Sequence, residues 1–317
     1  MNVSIKQAGA RSTAGLHWDI DSVVADLRAG RERSLADRQR ANRPPRLPFR
    51  KALVGILDGL SAALFPNRLG SPELTDEGID YFVGHTLDVT LRHLLEQVRR
   101  ELLFSSGQAS ISEADLERAV EITRVFAAQL PAVRAVLDTD VRAAYEGDPA
   151  AGSIDEVLVC YPGVTAIFHH RLAHVLHRLG VPLIARMIAE IAHSATGIDI
   201  HPGADIGGSF FIDHGTGVVI GETAIIGQRV RLYQAVTLGA KRFPAHDNGT
   251  LVKGNARHPI VEDDVVIYAG ATILGRVTIG RGSIIGGNVW LTRSVPPGSN
   301  ISQAQVRSEV FDGGAGI

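Results

Sequence analysis

The sequence has very little cysteine. Cys160 is the single thiol among 317 residues, so no internal disulfide can form and a disulfide-stapled secreted fold is excluded. A lone thiol is more often a buried packing residue than a nucleophile, although a catalytic thiol is the alternative. We therefore expect a protein of a reducing, cytoplasmic compartment, with Cys160 buried and taking no part in chemistry.

Long apolar runs and an excess of one charge are also missing. No stretch approaches the roughly 18 apolar residues that span a bilayer, and the N-terminus lacks the apolar core of a signal peptide. The formal net charge is −2 at pH 7, whereas a nucleic-acid binder shows a basic surplus. These absences predict a cytoplasmic protein that binds neither membranes nor nucleic acid.

Aromatic residues make up only 5% of the chain, and this matters for its one basic stretch, from Arg28 to Lys51. The stretch lacks the interleaved rings that stack on bases, so a nucleic-acid arm is the less favoured interpretation. Pro44, Pro45 and Pro48 would break any helix near its end. We expect residues 1–50 to form a poorly ordered or linker-like extension.

What the chain does have is a six-residue repeat in its C-terminal third. An aliphatic or small apolar residue recurs at Ile200, Ile206, Ile212, Val218, Ala224, Val230 and Val236, and again at Val261, Ile267, Ile273, Ile279, Ile285 and Leu291. A helix repeats every 3.6 residues and a half-buried strand every 2, whereas hexapeptides build a parallel β-helix with three strands per coil. The repeat therefore predicts about four coils of a solenoid.

The region before the repeat has helical patterns. Ser110 and Glu113 are spaced as a capping box, which predicts a helix through Leu130. Apolar stripes at 164–179 and 182–195 predict two more helices. The predicted fold class is an all-α N-terminal domain over 51–196, followed by a left-handed parallel β-helix of hexapeptide repeats over 197–298 and a flexible tail over 299–317.

One of these helices is rich in histidine. His169, His170, His174 and His177 resemble a metal cluster, and the last three share one helical face. No acidic or cysteine ligand accompanies them, and the positions around them form an ordinary apolar stripe. We favour packing roles for these histidines and predict no metal site.

Chemistry is expected where the repeat is broken. Asp199 and His214 are fifteen residues apart, just under one eighteen-residue coil, so stacking should bring them close together. A carboxylate beside an imidazole favours a general base that acts on a hydroxyl. The repeat also stops at a polar loop, 240–258, which ends in Arg257 and His258. A guanidinium there suits a carboxylate ligand.

These motifs resemble the serine O-acetyltransferases of the hexapeptide-repeat family. The matching segments are Asp199-Ile200-His201-Pro202, Asp213-His214-Gly215-Thr216-Gly217, Val219-Ile220-Gly221-Glu222-Thr223, Val236-Thr237-Leu238-Gly239, Arg257-His258-Pro259 and, before the repeat, Gly147-Asp148-Pro149-Ala150. The resemblance covers roughly residues 138–295 well, and the earlier helices only in character. It implies transfer of acetyl from acetyl-CoA to the hydroxyl of L-serine, in cysteine biosynthesis.

The resemblance also implies a role for each site residue. The catalytic set is His214 as general base, Asp199 as its orienting partner and His258 as a second imidazole near the reacting hydroxyl. The substrate-binding set is Asp148 and Asp213 for the ammonium, Arg257 for the carboxylate, and His258. Ala269 and Gly239 would contact acetyl-CoA, whose acetyl passes directly to serine without an acyl-enzyme.

Further expectations follow from the resemblance. L-cysteine would be a feedback inhibitor, the assembly a homotrimer or a dimer of trimers, and the tail ending in Ile317 would bind O-acetylserine sulfhydrylase. Lys241 and Arg242 in the loop leave O-phosphoserine or another hydroxyl compound open as the acceptor. A solenoid module that regulates cysteine synthase is the alternative from another class of function.

Overall fold

The structure is a computed structural model that describes residues 19–37, 46–242, 250, 252 and 254–303. The chain separates into two compact units, Met1–Pro45 and Arg46–Ile317. In the first unit, residues Ile20–Asp37 form helix α1. The predicted extension of residues 1–50 therefore contains an 18-residue helix.

The second unit begins with a helical layer. Its helices are α2 (Arg50–Leu64), α3 (Pro66–Leu69), α4 (Ile79–Ser106), α5 (Glu113–Gly147), α6 (Ile154–Cys160), α7 (Pro162–Arg178) and α8 (Pro182–Thr196), with a 3-10 turn at Asp76–Gly78. The thiol of Cys160 is exposed, so the expectation that it would be buried was wrong. Among the described helices, none is long and apolar enough to cross a membrane.

The long helix α5 starts and ends later than the sequence predicted. Its N-cap is Ser112, whose hydroxyl oxygen accepts from the Asp115 backbone N–H at 3.1 Å, so the capping pair is two residues after the predicted Ser110 and Glu113. The helix also continues past Leu130, through Pro131, to Gly147. This extension matters because it carries Asp148, the C-cap residue, to the solenoid.

The solenoid follows α8 after Gly197, which takes a left-handed backbone conformation at φ 71°. Its strands are β1 (Asp199–Ile200), β2 (Asp205–Ile206), β3 (Phe211–Ile212), β4 (Val219–Ile220), β5 (Ile225–Ile226), β6 (Arg231–Leu232), β7 (Thr237–Gly239), β8 (Ile260–Val261), β9 (Val266–Ile267), β10 (Thr272–Leu274), β11 (Thr278–Ile279), β12 (Ile284–Ile285), β13 (Trp290–Leu291) and β14 (Asn300–Ile301).

Three parallel sheets form the sides of a triangular left-handed β-helix. Their strand orders are β1-β4-β7-β10-β13, β2-β5-β8-β11 and β3-β6-β9-β12-β14. We call the turns between β3 and β4, β6 and β7, and β9 and β10 the first corner, and the turns between β1 and β2, β4 and β5, and β7 and β8 the second corner. The predicted fold class is confirmed, with the last strand slightly beyond residue 298.

The first coil is longer than the coil that follows it. Asp199 pairs with Val219, twenty residues on, whereas Val219 pairs with Thr237, eighteen residues on. The extra residues lie in the turn 213–218. After that turn the inward strand residues are Ile220, Ile226, Leu232 and Leu238, each two positions later than a strict count in sixes predicts.

The helical layer covers the open edge of the first coil. Strands at the start of a solenoid leave backbone groups unpaired, and here side chains from α5 and α7 bond to them. Asp140 accepts from the Phe210 N–H at 2.9 Å, and Arg171 donates to the carbonyls of Ile206 and Gly207. Asp140 and Arg171 also pair at 3.1 Å in a buried setting.

Two further contacts complete this cover. Thr139 Oγ1 accepts from the Ser209 N–H at 2.8 Å, and His174 Nδ1 lies 2.9 Å from the Pro202 carbonyl oxygen. His174 is one of the four histidines of α7, and the contact gives it a structural role. The helices and the solenoid therefore form one body around a continuous apolar core.

Candidate functional site

His214 lies in the enlarged turn of the first corner. It adopts a left-handed backbone conformation with φ 59°, and Gly215 and Gly217 follow with φ 88° and 80°. The same conformation recurs at other turns of the solenoid, for example at Arg229 and Ala235, so it belongs to the geometry of these turns. The imidazole is 72% exposed, and its Nε2 is 3.7 Å from Asp213 Oδ1. The ring is thus presented to solvent, with one carboxylate beside it.

Asp199 lies elsewhere in this chain. No hydrogen bond or ion pair among the described residues joins Asp199 to His214. A carboxylate oxygen of Asp199 instead lies within 4.8 Å of side-chain ligand atoms of Glu190 and His193 on α8. The enlarged turn explains the difference, because a twenty-residue offset places Val219 above Asp199 and leaves His214 further short of that position than an eighteen-residue coil would. Asp199 as the orienting partner stays a prediction.

Asp213 is fixed by a residue that the sequence analysis missed. Its carboxylate is nearly buried, and Oδ2 accepts from Arg231 Nη2 at 2.6 Å. Arg231 stacks on Phe211 in the next coil, two positions before the residue that lies above Asp213, so the ion pair runs diagonally between the coils. Because the coil is twenty residues long here and the pair is eighteen residues apart, a regular repeat does not predict it.

Asp148 reaches the same corner from the end of α5. Its Oδ1 accepts from the Ala150 N–H at 2.8 Å, and its Oδ2 accepts from the Tyr161 hydroxyl at 2.6 Å. These two hydrogen bonds, the Tyr161 bond first, hold the pKa of Asp148 below its usual range. The same bond raises the pKa of Tyr161 to about 12. The carboxylate is therefore ionised and oriented before any ligand arrives.

Gly147 lets the end of α5 approach the solenoid. A Cβ at Gly147 would lie 2.9 Å from the ring of Phe211 on β3, closer than real Cβ atoms come. The close approach brings Asp148, Tyr161, Asp213 and His214 to one side of the first corner. Arg231 and His214 are close enough to Asp148 for their charges to help lower its pKa.

Arg257 and His258 lie at the second corner. Arg257 Nη2 pairs with Glu222 Oε2 at 2.6 Å. His258 Nδ1 accepts from the Thr223 N–H at 3.0 Å, and its ring packs so closely on Gly221 that a Cβ there would overlap it. Burial, with the charge of Arg257 second, lowers the pKa of His258 to about 4, so this imidazole is neutral at pH 7.

The predicted site residues thus fall into two groups within one chain. His214, Asp213 and Asp148 are at the first corner, whereas Arg257 and His258 are at the second. Different corners of a triangular prism face different directions, so the chain on its own does not bring together the predicted general base and the guanidinium predicted to bind a carboxylate.

The two predicted acetyl-CoA contacts are divided in the same way. Ala269 is at the first corner, in the turn after β9, and its carbonyl accepts from the Asn288 N–H at 2.8 Å. Gly239 ends β7 at the second corner, where the loop leaves the coil, and its carbonyl accepts from the Gly275 N–H at 2.9 Å.

A basic cavity of about 340 Å³ opens beside Gly239. Its described lining carries four cationic side chains and no carboxylate: Lys241, Arg242, Arg257 and Arg276. Arg276 is held in place by donating to the carbonyls of Thr223 and His258 at 2.6 and 3.0 Å. A cavity with this charge suits a phosphorylated ligand.

The histidines of α7 are mostly packed. His170 is buried, and burial together with the charge of Arg171 puts its pKa well below the usual range. His177 stacks edge-on against His201 of the second corner at 6.0 Å between ring centres. Among the described residues, the three-residue group with metal-ligand spacing is Glu190, His193 and Asp199, away from these four histidines. The absence of a metal stays a prediction.

The sequence of this chain is similar to those of known transferases. Residues 258–293 match the family of bacterial transferase hexapeptides with six repeats, which agrees with the coils seen here. The sequence is 57% identical to the plasmid serine acetyltransferase of Synechococcus elongatus, over 99% of this chain and all of that protein. It is 52% identical to the serine acetyltransferase of Mycobacterium tuberculosis, over 50% of this chain and 65% of that protein.

Solved structures of serine acetyltransferases have a similar fold. Serine acetyltransferase isoform 3 of Entamoeba histolytica in complex with cysteine aligns with a TM-score of 0.69 and 32% identity, over 91% of this chain and 96% of that one. Serine acetyltransferase 1 of the same organism, in complex with L-cysteine, aligns with a TM-score of 0.68 and 38% identity, over 78% of this chain and 86% of that one. The fold and the repeat define a hexapeptide-repeat transferase. Within that class, the chain belongs to the serine acetyltransferases.

Proposed function

We propose that this protein transfers the acetyl group of acetyl-CoA to the side-chain hydroxyl of L-serine, giving O-acetyl-L-serine and CoA. The observation that carries the proposal is the first corner, where the carboxylates of Asp148 and Asp213 flank the exposed imidazole of His214. Two carboxylates bind an ammonium, and an imidazole beside them can act as the base that accepts the proton of a hydroxyl on the same molecule.

The chemical step is a direct transfer. His214 takes the proton as the serine oxygen attacks the thioester carbonyl, so the oxygen–carbon bond forms and the carbon–sulfur bond breaks. The departing thiolate of CoA then receives the proton from the imidazolium. Asp213, 3.7 Å from the ring, stabilises the imidazolium while it exists. Cys160 is on the exposed end of α6, and no acyl-enzyme is required.

The assembly completes the site. In a cyclic homotrimer the first corner of one copy meets the second corner of the next, so Arg257 and His258 of the neighbouring copy would face His214. Arg257 then binds the carboxylate of serine in exchange for Glu222. Pairing of two such trimers is the further predicted state.

Acetyl-CoA would lie along the same interface. Ala269 is at the corner of His214, further along the solenoid axis, which is the direction of an extended pantetheine arm. In the basic cavity beside Gly239, the three cations other than Arg257, which are Lys241, Arg242 and Arg276, have the charge to take the phosphates of the nucleotide end.

L-cysteine is the proposed feedback inhibitor. It carries the ammonium and carboxylate of serine, so it would occupy the same groups, and cysteine is bound in the two Entamoeba structures. Binding of O-acetylserine sulfhydrylase through Ile317 stays a prediction, since that tail is outside the described residues. The cytoplasmic location stays a prediction as well.

The alternative acceptors can be ordered on chemical grounds. O-phosphoserine has no free side-chain hydroxyl, so it cannot accept the acetyl group there. A sugar hydroxyl would leave Asp148 and Asp213 without an ammonium to bind. A module that only regulates cysteine synthase would have no use for an exposed general base. L-serine is therefore the proposed acceptor.

The test is release of the CoA thiol from acetyl-CoA in the presence of L-serine, L-homoserine, O-phosphoserine or a panel of sugars. We expect turnover with L-serine, weaker turnover with L-homoserine and none with the others. Truncation of the last ten residues should leave turnover intact. Turnover with a sugar and not with L-serine would overturn the proposal.

A further inference from the structure

Arg231 is the arginine that pairs with Asp213 at the first corner. It lies on the outer face of β6, where its Cα partner across the sheet is Phe211. Its guanidinium stacks on the rings of Phe211 and Tyr233, at 4.9 and 4.7 Å from their centres. A planar cation between two rings has little freedom, so its position is fixed before any ligand binds.

Among the described carboxylates, the guanidinium of Arg231 pairs with that of Asp213. Arg231 Nη2 donates to Asp213 Oδ2 at 2.6 Å, which leaves Oδ1 on the side of His214. Nε of Arg231 is buried and has no hydrogen-bond partner among the described residues. One planar side chain therefore decides which oxygen of Asp213 is free to meet a ligand.

Arg231 also lies against the C-terminal end of α5. A Cβ at Gly147 would be 3.6 Å from Nη1, so the guanidinium is beside the last helical residue and next to Asp148. The C-terminal end of a helix carries a partial negative charge that favours a cation. Arg231 therefore joins the two elements that supply the carboxylates, the turn 213–218 and the end of α5.

The charges of the corner require such a group. Asp148 and Asp213 together carry two negative charges, whereas an amino-acid acceptor brings a single ammonium. Two carboxylates held close to each other repel and favour uptake of a proton. With Arg231 present, two negative charges meet two positive charges once the acceptor is bound.

We propose that Arg231 is a positioning residue that holds Asp213 and the Asp148 end of α5 as one ammonium-binding unit and balances its charge. The inference rests on the proposed function, because it takes the ammonium of L-serine as the ligand of the two carboxylates. It assigns Arg231 a role in binding the acceptor and none in binding acetyl-CoA.

The groups that face this unit define the expected pH dependence. Asp148 is faced by the Tyr161 hydroxyl, by Arg231 and by His214, and Tyr161 is near Glu156 as well as both carboxylates. After the hydrogen bonds from Tyr161 and Ala150, the charge of Arg231 contributes to the low pKa of Asp148. Loss of that charge would move the acidic limb of kcat/KM for L-serine to higher pH.

The experiment compares three variants by steady-state kinetics from about pH 4 to 9, a window that reaches down towards the ordinary pKa of a carboxyl group. Arg231→Met removes the charge, Arg231→Lys keeps the charge without the planar fork, and Arg229→Met removes a neighbouring arginine whose partner is Asp264 at 2.6 Å. We expect Arg231→Met to raise the KM for L-serine by roughly 10- to 100-fold, the scale on which a displaced contact costs rate. The KM for acetyl-CoA should stay unchanged.

The other variants separate positioning from packing. Arg231→Lys keeps the positive charge, so its pH profile of kcat/KM for L-serine should match that of the wild type and its KM for L-serine should lie between those of the wild type and Arg231→Met. The lysine variant can be compared with the wild type even where the methionine variant does not fold. Arg229→Met should match the wild type. The inference is wrong if Arg231→Met behaves like Arg229→Met. It is equally wrong if both Arg231 variants lose activity alike at every pH, with the KM for acetyl-CoA affected as much as that for L-serine.

Measurements on the wild-type protein distinguish failure of the proposed function from failure of the role of Arg231. Absence of thiol release with L-serine in the wild type would remove the proposed function and this inference with it. Turnover by the wild type, with no selective effect of Arg231 on the KM for L-serine, would remove this inference alone.

Discussion

Glu222 pairs with Arg257 at 2.6 Å, so the guanidinium proposed to bind the acceptor's carboxylate already has a carboxylate of its own chain. A ligand has to displace Glu222 in order to bind. Both side chains are partly exposed, and pairs of this kind contribute only about 0 to 1 kcal/mol. The exchange therefore costs little, while the pair keeps the guanidinium near its working position.

Opposite effects are expected from the two members of this pair. Arg257→Ala should raise the KM for L-serine about 10- to 100-fold, since a hydrogen bond to a charged group contributes about 1.5 to 3 kcal/mol. Glu222→Gln removes the competitor and should lower that KM by up to about fivefold. Steady-state kinetics with varied L-serine measures both, and a rise in KM from both substitutions would contradict the exchange.

His214→Ala should lower kcat by about 10² to 10⁴, the usual contribution of a general base. Asp199→Asn and Asp213→Asn then separate the two carboxylates as partners of the imidazole. Because Asp213 is the one beside the ring in this chain, its substitution should lower kcat/KM for L-serine more. Equal or greater loss from Asp199→Asn would mean that the assembled enzyme brings Asp199 to His214. An unchanged kcat in His214→Ala would show that His214 is not the general base.

Two variants that are each impaired at an L-serine concentration near the wild-type KM should complement each other at that concentration if the site lies between copies. His214→Ala supplies an intact Arg257, and Arg257→Ala supplies an intact His214. When the two are co-expressed at equal levels, random trimers contain about a quarter of their sites with both groups intact. Specific activity should therefore recover to about a quarter of the wild-type value. Mixed oligomers with no recovery would place the site within one chain.

Tyr161→Phe tests the hydroxyl that holds Asp148. Because this hydrogen bond is the largest cause of the low pKa of Asp148, its loss should raise that pKa towards the ordinary value and make kcat/KM for L-serine fall more steeply below about pH 5. The KM for L-serine should rise, while the KM for acetyl-CoA should not. A pH profile identical to that of the wild type would show that Tyr161 has no such influence.

Stability should depend on pH through His201. Burial, with the charge of Arg186 second, lowers the pKa of His201 to about 4, against an ordinary value near 6.5 in the unfolded chain. The unfolded state therefore binds more protons between these values, and stability falls as the pH falls from about 6.5 to 4.

His201→Asn should flatten that decline. Its amide oxygen can still accept from the Gly203 N–H, as His201 Nδ1 does at 3.0 Å, but it takes up no proton. Urea unfolding midpoints across this pH window measure the change, with His93→Asn on the exposed face of α4 as the control. An equally steep decline in His201→Asn and the wild type would contradict the assignment.

The solenoid could be predicted from the sequence because the apolar spacing that produces it is local and repeated. Each inward residue, such as Ile206 or Ile226, recurs at a fixed spacing, and a count reveals it. The same count failed at the turn 213–218, since two extra residues change the register there without leaving any mark on the apolar pattern. The predicted closeness of Asp199 and His214 depended on that register.

Contacts between distant elements were harder to predict. Asp213 and Arg231 are eighteen residues apart in a coil of twenty, so their pairing follows only once the enlarged turn is known. Tyr161 and Asp148 meet only because α5 ends at Gly147 and α7 begins just after Tyr161, and no periodicity links those positions. The division of His214 and Arg257 between two corners depends on the direction in which each turn faces, which a list of motifs does not contain.

The cover over the first coil also limits how this protein can associate. An uncovered coil would offer its free backbone N–H and C=O groups to the last coil of another molecule, and such stacking has no natural end. Asp140 and Arg171 occupy those groups at one end of the prism, so copies cannot join head to tail there into fibres. Removing the helical layer would leave a shorter protein with an adhesive edge, and its expected fate is aggregation.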